Sequence, residues 1–178
     1  MNVRLISGRF GGRVLEGSAT KQTHPMSERI RNALFNNIGD EVVGARVLDA
    51  FAGSGAIGLE AVSRGAASVV LVEKDRIAAK LIENNIRTLG VEGSVQLVKS
   101  PVSSWSTTYR GEPFDLIFAD PPYHDPQFST ALQLLDLLQP NGLMVLSYLG
   151  RGEAPTANGV VVVDNRSYGT AALVFYRK

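Results

Sequence analysis

Asp120-Pro121-Pro122-Tyr123 is the stretch of this chain best equipped for chemistry. It follows Phe114 to Ala119, a short apolar run that reads as a buried strand. Proline fixes φ and lacks an N–H, so two in a row cannot extend a sheet and leave a stiff polar lip at the strand's carboxyl end. The Asp120 carboxylate and the Pro121 carbonyl remain as acceptors, with the Tyr123 ring beside them. That set suits a planar substrate bearing an amino group: the acceptors take its N–H bonds while the ring stacks on its face. The competing reading is an ordinary strand-to-loop turn that happens to carry a surface tyrosine. His124, next in line, reads as a surface side chain rather than a general base.

A second feature lies upstream. Gly53-Ser54-Gly55 makes a turn between the strand-like run Arg46 to Ala50 and a helical pattern from Gly55 to Arg64. Glycines let the backbone approach a ligand closely, and a helix start offers free N–H groups. Gly53, Gly55 and Gly58 have the spacing of a dinucleotide fingerprint, and Glu73 lies 20 residues after Gly53, where an acid can meet ribose hydroxyls. On the loop alone, a nicotinamide-dependent oxidoreductase or a flavin enzyme stays open. Asp49 pulls the other way, because a carboxylate on the approach to the turn repels a pyrophosphate and suits a ligand with a cationic end.

The elements that must position these groups alternate in type. Strand patterns at 46–50, 68–73, 95–99, 114–119 and 143–147 are separated by helical patterns at 55–64, 75–89 and 127–138, the last ended by Pro140-Asn141-Gly142. Gly90 is placed as a C-cap, and Trp105 to pack on the sheet edge. Such alternation predicts an α/β fold: a parallel sheet with helices on both faces and a ligand site outside the strands' carboxyl ends. Two further runs, 159–164 and 171–176, are joined by a link too short for a crossover helix and are expected to pair antiparallel. The head reads as a small hairpin, Val3 to Ser7 and Arg13 to Leu15 around Gly11-Gly12. A helix from Ser27 to Ile38 follows it, with Ser27 as its cap and Ile30, Leu34 and Ile38 on one face.

Bulk properties narrow the class. At 178 residues and 44% hydrophobic, the chain is expected to form one domain with a short appendage. With no cysteine it has no thiolate metal site, disulfide or cysteine nucleophile, and His24 and His124, its only histidines, make no metal site. No apolar stretch has signal-peptide or membrane-span length, so a cytoplasmic protein without membrane contact is the expectation. The net charge of +1 is unevenly spread: residues 1–36 hold Arg4, Arg9, Arg13, Lys21, Arg29 and Arg31 against Glu16 and Glu28, leaving the rest of the chain acidic. A basic arm on an acidic body suggests a polyanionic partner, although a solvated charged face would look the same.

Asp49-x-Phe51-x-Gly53-x-Gly55, the strand-end Glu73, and the Asp-Pro-Pro-Tyr lip 71 residues after Asp49 together resemble the class I S-adenosylmethionine-dependent methyltransferases, in their amino-methylating branch. Arg4 to Leu15, His24 to Asn36, Leu48 to Ala61 with Ser63 to Ala66, Glu73-Lys74-Asp75, and Tyr168-Gly169-Thr170 with Tyr176 resemble the RsmD-like family of bacterial 16S rRNA guanine-N2 methyltransferases, across essentially the whole chain. The resemblance implies a Rossmann-like fold with a seven-stranded, mostly parallel sheet closed by an antiparallel hairpin. It also implies an RNA-binding extension over 1–40 and a methyltransferase domain over 41–178. S-adenosyl-L-methionine would then be held by Asp49, Phe51, Gly53, Gly55, Glu73, Lys74 and Ser100, and Asp120, Pro121, Pro122 and Tyr123 would carry catalysis. Arg4, Arg9, Arg13, Arg29 and Arg31 would grip 16S rRNA or the 30S subunit, with the protein acting as a monomer. Arg29 and Arg31 point in different directions on a helix, so either could instead pair with Glu28 or an acid of the body.

The chain departs from the family at two places. His24-Pro25-Met26 stands where Arg-Pro-Thr is usual, and Lys99-Ser100-Pro101-Val102 stands where an Asp or Asn often follows the third strand. Two rivals remain beside the oxidoreductase. An N6-adenine DNA methyltransferase shares the lip but usually carries a long target-recognition insertion, which is lacking here. A non-catalytic RNA-binding relative fits poorly with intact Asp49, Glu73, Asp120 and Tyr123.

Overall fold

The computed structural model describes residues 2–17, 26–150 and 153–178. Lys21 and the His24-Pro25 part of the head signature lie outside the described residues. Five parallel strands, β3 (Arg46–Ala50), β4 (Ser68–Val72), β5 (Val95–Val98), β6 (Phe114–Ala119) and β7 (Leu138–Leu149), form most of one sheet. The tail strands β8 (Val161–Tyr168) and β9 (Ala171–Arg177) complete it, giving the order β5-β4-β3-β6-β7-β9-β8. As the short link required, β8 and β9 pair antiparallel, and β9 also runs antiparallel to β7. The order reverses between β3 and β6, so their carboxyl ends splay apart there and leave a crevice.

The central strands are buried on both faces, which is why they read as unbroken apolar runs. Val47, Leu71, Phe118, Val145 and Leu173 pack on one side with α1 (Glu28–Ile38), α2 (Ala56–Ser63) and α3 (Arg76–Leu89). Leu48, Val72, Ile117, Leu146 and Val174 face the other side, under α4 (Val102–Thr108) and α5 (Phe128–Gln133). Expected caps hold: the Ser27 hydroxyl accepts from the Ile30 amide at 3.2 Å, and Gly90 ends α3 at φ +67°. No helix among the described residues is long and apolar enough to cross a membrane.

One element was absent from the sequence pattern and one differs from expectation. The Ser/Thr-rich segment at α4 shows little intrinsic helix signal, yet it is helical because Trp105 packs on Tyr109 with ring centroids 4.8 Å apart and on Phe114. The helix expected over 127–138 is shorter. It tightens to a 3₁₀ turn at Leu134–Leu137, because Leu138 already pairs with Phe114 as the start of β7. Pro140-Asn141-Gly142 therefore lies in an irregular strand start, with Asn141 at φ +66°, rather than after a helix.

The head is a two-stranded hairpin, β1 (Val3–Arg4) with β2 (Val14–Leu15), laid across α2 and α3. Its apolar side chains Val3, Leu5, Phe10 and Leu15 enter the same cluster as Leu59 and Ile82. Three polar side chains of the body stitch it down. Glu60, fully buried on α2, accepts from the amides of Ile6 at 2.9 Å and Ser7 at 3.1 Å, and pairs with Arg31 and Arg64. The Ser63 hydroxyl accepts from the Phe10 amide and donates to the Ser7 carbonyl at 2.6 Å. Asn85 exchanges two hydrogen bonds of 2.9 Å with the Glu16 backbone. Gly8, at φ +81°, sits so close to α2 that a Cβ would come within 1.9 Å of the Ser63 carbonyl oxygen.

Candidate active site

The crevice above β3 and β6 is a cleft of about 840 Å³. One wall is the turn after β3. Phe51, Gly53 and Gly55 all take left-handed φ angles, 59°, 58° and 79°, which folds the backbone sharply back on itself. For Phe51 that conformation is strained, a cost of order 1–3 kcal/mol that packing must offset. Gly58, in the first turns of α2, has no room for a side chain: a Cβ would lie 2.2 Å from the Leu71 Cδ2. This lets its amide reach the Asp49 Oδ2 at 2.9 Å.

Asp49 is buried behind the turn, and its second oxygen, Oδ1, has no partner among the described residues. Burial pushes its carboxyl well above the usual carboxylate range, the Gly58 N–H pulls it back, and the nearby Asp120 and Glu73 charges push it further up. A buried carboxyl whose ionisation is disfavoured in this way gains its missing counter-charge from a cationic ligand group. At the end of β4, the Glu73 Oε1 accepts from the Gly53 amide at 2.7 Å and its Oε2 from the Asp75 amide at 2.8 Å. Each oxygen keeps a lone pair for a ligand hydroxyl. The Ser100 amide donates to the Glu73 carbonyl at 3.2 Å, which brings the turn after β5 to the cleft.

The opposite wall is the lip after β6. Asp120 faces the cleft, Pro121 is buried, and Tyr123 is 44% exposed. The Pro122 carbonyl is engaged by the Asp125 amide at 3.0 Å, whereas the Pro121 carbonyl takes no backbone hydrogen bond among the described residues. Burial raises the Asp120 carboxyl to about 6, and the neighbouring Ser147 hydroxyl opposes that rise. The Tyr123 phenol is raised as well, chiefly by burial.

Most of the expected residues meet at this cleft. Phe51, Gly53, Glu73, Lys74, Ser100, Asp120, Pro121, Pro122 and Tyr123 line it, while Asp49 and Gly55 stand behind its wall. His124 also lines it and is exposed, as a surface side chain would be. The five arginines of the head do not line it. Arg4 is exposed and paired with Glu28 at 2.6 Å. Arg31 corrects the expectation of a nucleic-acid contact. It is buried, donates to the Arg4 carbonyl and pairs with Glu60, so it holds the head together instead of facing outward. Arg29 is exposed in the first turn of α1, beside cleft-lining Ser27 and Ile30. Arg9 and Arg13 are exposed at the hairpin tip, which docks on Ser63 at the far end of α2 from the glycine turn.

Sequence reasoning missed five contributors. Val3, Met26 and Ile30 bring the head to the cleft wall, and the helical periodicity that assigned Ile30 to the core could not show that the core ends there. Glu60 carried a signal only in being an acid inside an apolar helix. Ser147 is a lone hydroxyl directly after the apolar run Leu143 to Leu146, on the strand beside the lip.

Comparison with known proteins fits this geometry. Residues 3–177 match the family described as conserved hypothetical protein 95. The Escherichia coli ribosomal RNA small subunit methyltransferase D is 35% identical over 161 residues, covering 90% of this chain and 79% of that protein. A Bacillus subtilis protein described as a candidate rRNA methyltransferase, YlbH, is 32% identical over 182 residues and 99% of both chains. Among solved structures, a candidate Escherichia coli methyltransferase, yhhF, superposes with a TM-score of 0.87 at 30% identity, covering 100% of this chain and 98% of that one.

Proposed function

Because the chain belongs to the conserved hypothetical protein 95 family, the family of ribosomal RNA small subunit methyltransferase D, we propose that it methylates the exocyclic N2 amine of a guanine in 16S rRNA, with S-adenosyl-L-methionine as donor. The observation that carries this reading is the meeting of the glycine turn and the Asp120 lip across one cleft. S-adenosylmethionine supplies a methyl group already activated on a sulfonium. The residues present fit it: the unpartnered Asp49 Oδ1 suits its ammonium end, Glu73 its ribose hydroxyls, and the turn at Ser100 its adenine.

The protein's own work is then on the acceptor. A guanine amine is nearly planar because its lone pair is delocalised into the ring. Accepting both N–H bonds, at the Asp120 carboxylate and the Pro121 carbonyl, favours the pyramidal form and directs the lone pair across the cleft. Tyr123, with nearly half its surface exposed, offers a stacking face worth roughly 1–3 kcal/mol per base. Asp120 must be ionised to accept, and the proton lost after attack passes to its carboxylate or to water. Arg29 beside the cleft and Arg9 and Arg13 at the hairpin tip supply cations for phosphates. Family membership and the carboxylate of Asp49 both weigh against a pyrophosphate cofactor in the turn.

The test is to incubate the protein and labelled methyl donor with 30S subunits, naked 16S rRNA and duplex DNA. Label recovered as N2-methylguanosine in rRNA supports the reading. Label recovered as N6-methyladenine in DNA refutes it.

A further inference from the structure

β7 runs beside β6 in parallel, with Ala119 opposite Leu146. The next position on each strand is Asp120 on one and Ser147 on the other, so the two stand at the same level, where the sheet gives way to the cleft. Alternation along the strands sends Ala119 and Leu146 to one face and Phe118 and Val145 to the other. Ser147 therefore shares the face of Val145, toward α1 and α2. It is 3% exposed and, with Asp120, Ile57 and Met26, borders a second, very small cavity directly behind the lip. A buried hydroxyl in an apolar strand is costly without a polar neighbour. The polar groups beside this one are the Asp120 carboxylate and the Tyr123 phenol.

We propose that Ser147 is a positioning residue for the reaction, its hydroxyl donating to the Asp120 carboxylate and so fixing which oxygen is turned toward the substrate amine. This rests on the methyltransferase reading above. A carboxylate at the end of a strand has two free torsions, and a donor behind it removes the rotamers that would aim it away from the cleft. The same contact favours the ionised form, which is the form that accepts from an amine. The other groups around Asp120 do not take this part. Asp49 on β3 is a second carboxyl group, Tyr123 is on the lip itself, and Glu73, Asp75, Lys74, His124 and Asp125 lie elsewhere around the cleft. Burial disfavours the Asp120 charge that Ser147 supports.

The experiment compares wild type, Ser147→Ala and Ser147→Thr by carboxyl ¹³C NMR titration of Asp120 and by kcat/KM against pH on 16S rRNA. Donor affinity and thermal denaturation serve as controls for folding. Removing the hydroxyl should move the Asp120 midpoint and the acidic limb of the rate profile upward together by about half to one pH unit, and lower the rate near neutrality by about tenfold. Ser147→Thr should return most of both. An Asp120 midpoint that stays in place in Ser147→Ala, or a threonine variant no better than alanine, overturns the proposal. Failure of the broader reading looks different: wild type leaves rRNA unmethylated, or Asp120→Ala remains active, while the NMR comparison still reports on Ser147.

Discussion

The Glu73 carboxylate holds the Gly53 amide at 2.7 Å, so the acid expected to meet the donor's ribose also ties the glycine turn to the end of β4. Turn shape and ligand contact thus depend on one side chain. Replacing Glu73 by Ala should weaken S-adenosylmethionine binding by about 10- to 100-fold, the worth of charged hydrogen bonds lost together with a loosened turn. Glu73→Gln should recover part of it, because an amide oxygen can still accept from Gly53. Calorimetric titration of the donor checks this, and an affinity within twofold of wild type in Glu73→Ala would remove the residue from the donor site.

Asp120 is kept at a cost to stability. Its folded carboxyl titrates near 6 against an ordinary 3.8, so the folded protein binds that proton more tightly than the unfolded chain. Its contribution to stability is therefore most favourable below the ordinary value and declines as pH rises toward the folded one. Asp120→Asn should abolish turnover and, above that range, make the protein more stable by up to about 3 kcal/mol. The gain should fade as the pH is lowered through the acidic range. Urea unfolding at two pH values measures it, and a variant less stable than wild type at pH 8 would contradict the assignment.

Glu60 anchors the head through two amides and two guanidinium groups while fully buried. Truncation to Ala leaves Arg31 as an uncompensated buried charge, a loss of about 3–5 kcal/mol. Hydrogen exchange at the Ile6 and Ser7 amides should accelerate in step with that loss. A destabilisation below about 1 kcal/mol would mean that apolar contacts alone hold the hairpin.

The cations are spread along the length of α2. Its eight residues span about 12 Å, separating the cleft side, where Arg29 lies, from the tip with Arg9 and Arg13. Charge reversal at Arg29 should weaken binding to any RNA that contains the target base. Charge reversal at Arg13 should weaken binding only to fragments long enough to reach the tip, with the salt slope reduced by about one. Equal losses on a short oligonucleotide would place the tip at the cleft after all.

Much of this was legible in the chain itself. Strand and helix periodicity located the sheet, and the turn and the lip identified themselves through glycine and proline chemistry, which acts over a few residues. What stayed hidden depends on contacts between distant segments. Nothing near Arg31 in sequence announces Glu60, so pairing with an acid of the body stood only as an alternative to an RNA contact until the fold buried the side chain. Val3 reaches the cleft because the hairpin crosses α2, and Met26 because the start of α1 is packed beside it. The α4 helix exists because Trp105 finds Tyr109 and Phe114, against the preference of the serines and threonines around it.

The contact of Gly8 with the Ser63 carbonyl has a mechanical consequence. With no side chain between them and no slack, the hairpin cannot swing on α2 as a jaw would. On the proposed reading, the exposed arginines of the head and the cleft then form a single anvil of fixed shape, and the adjustment needed to bring a guanine to Asp120 would fall to the nucleic acid, bending or turning out its base to fit.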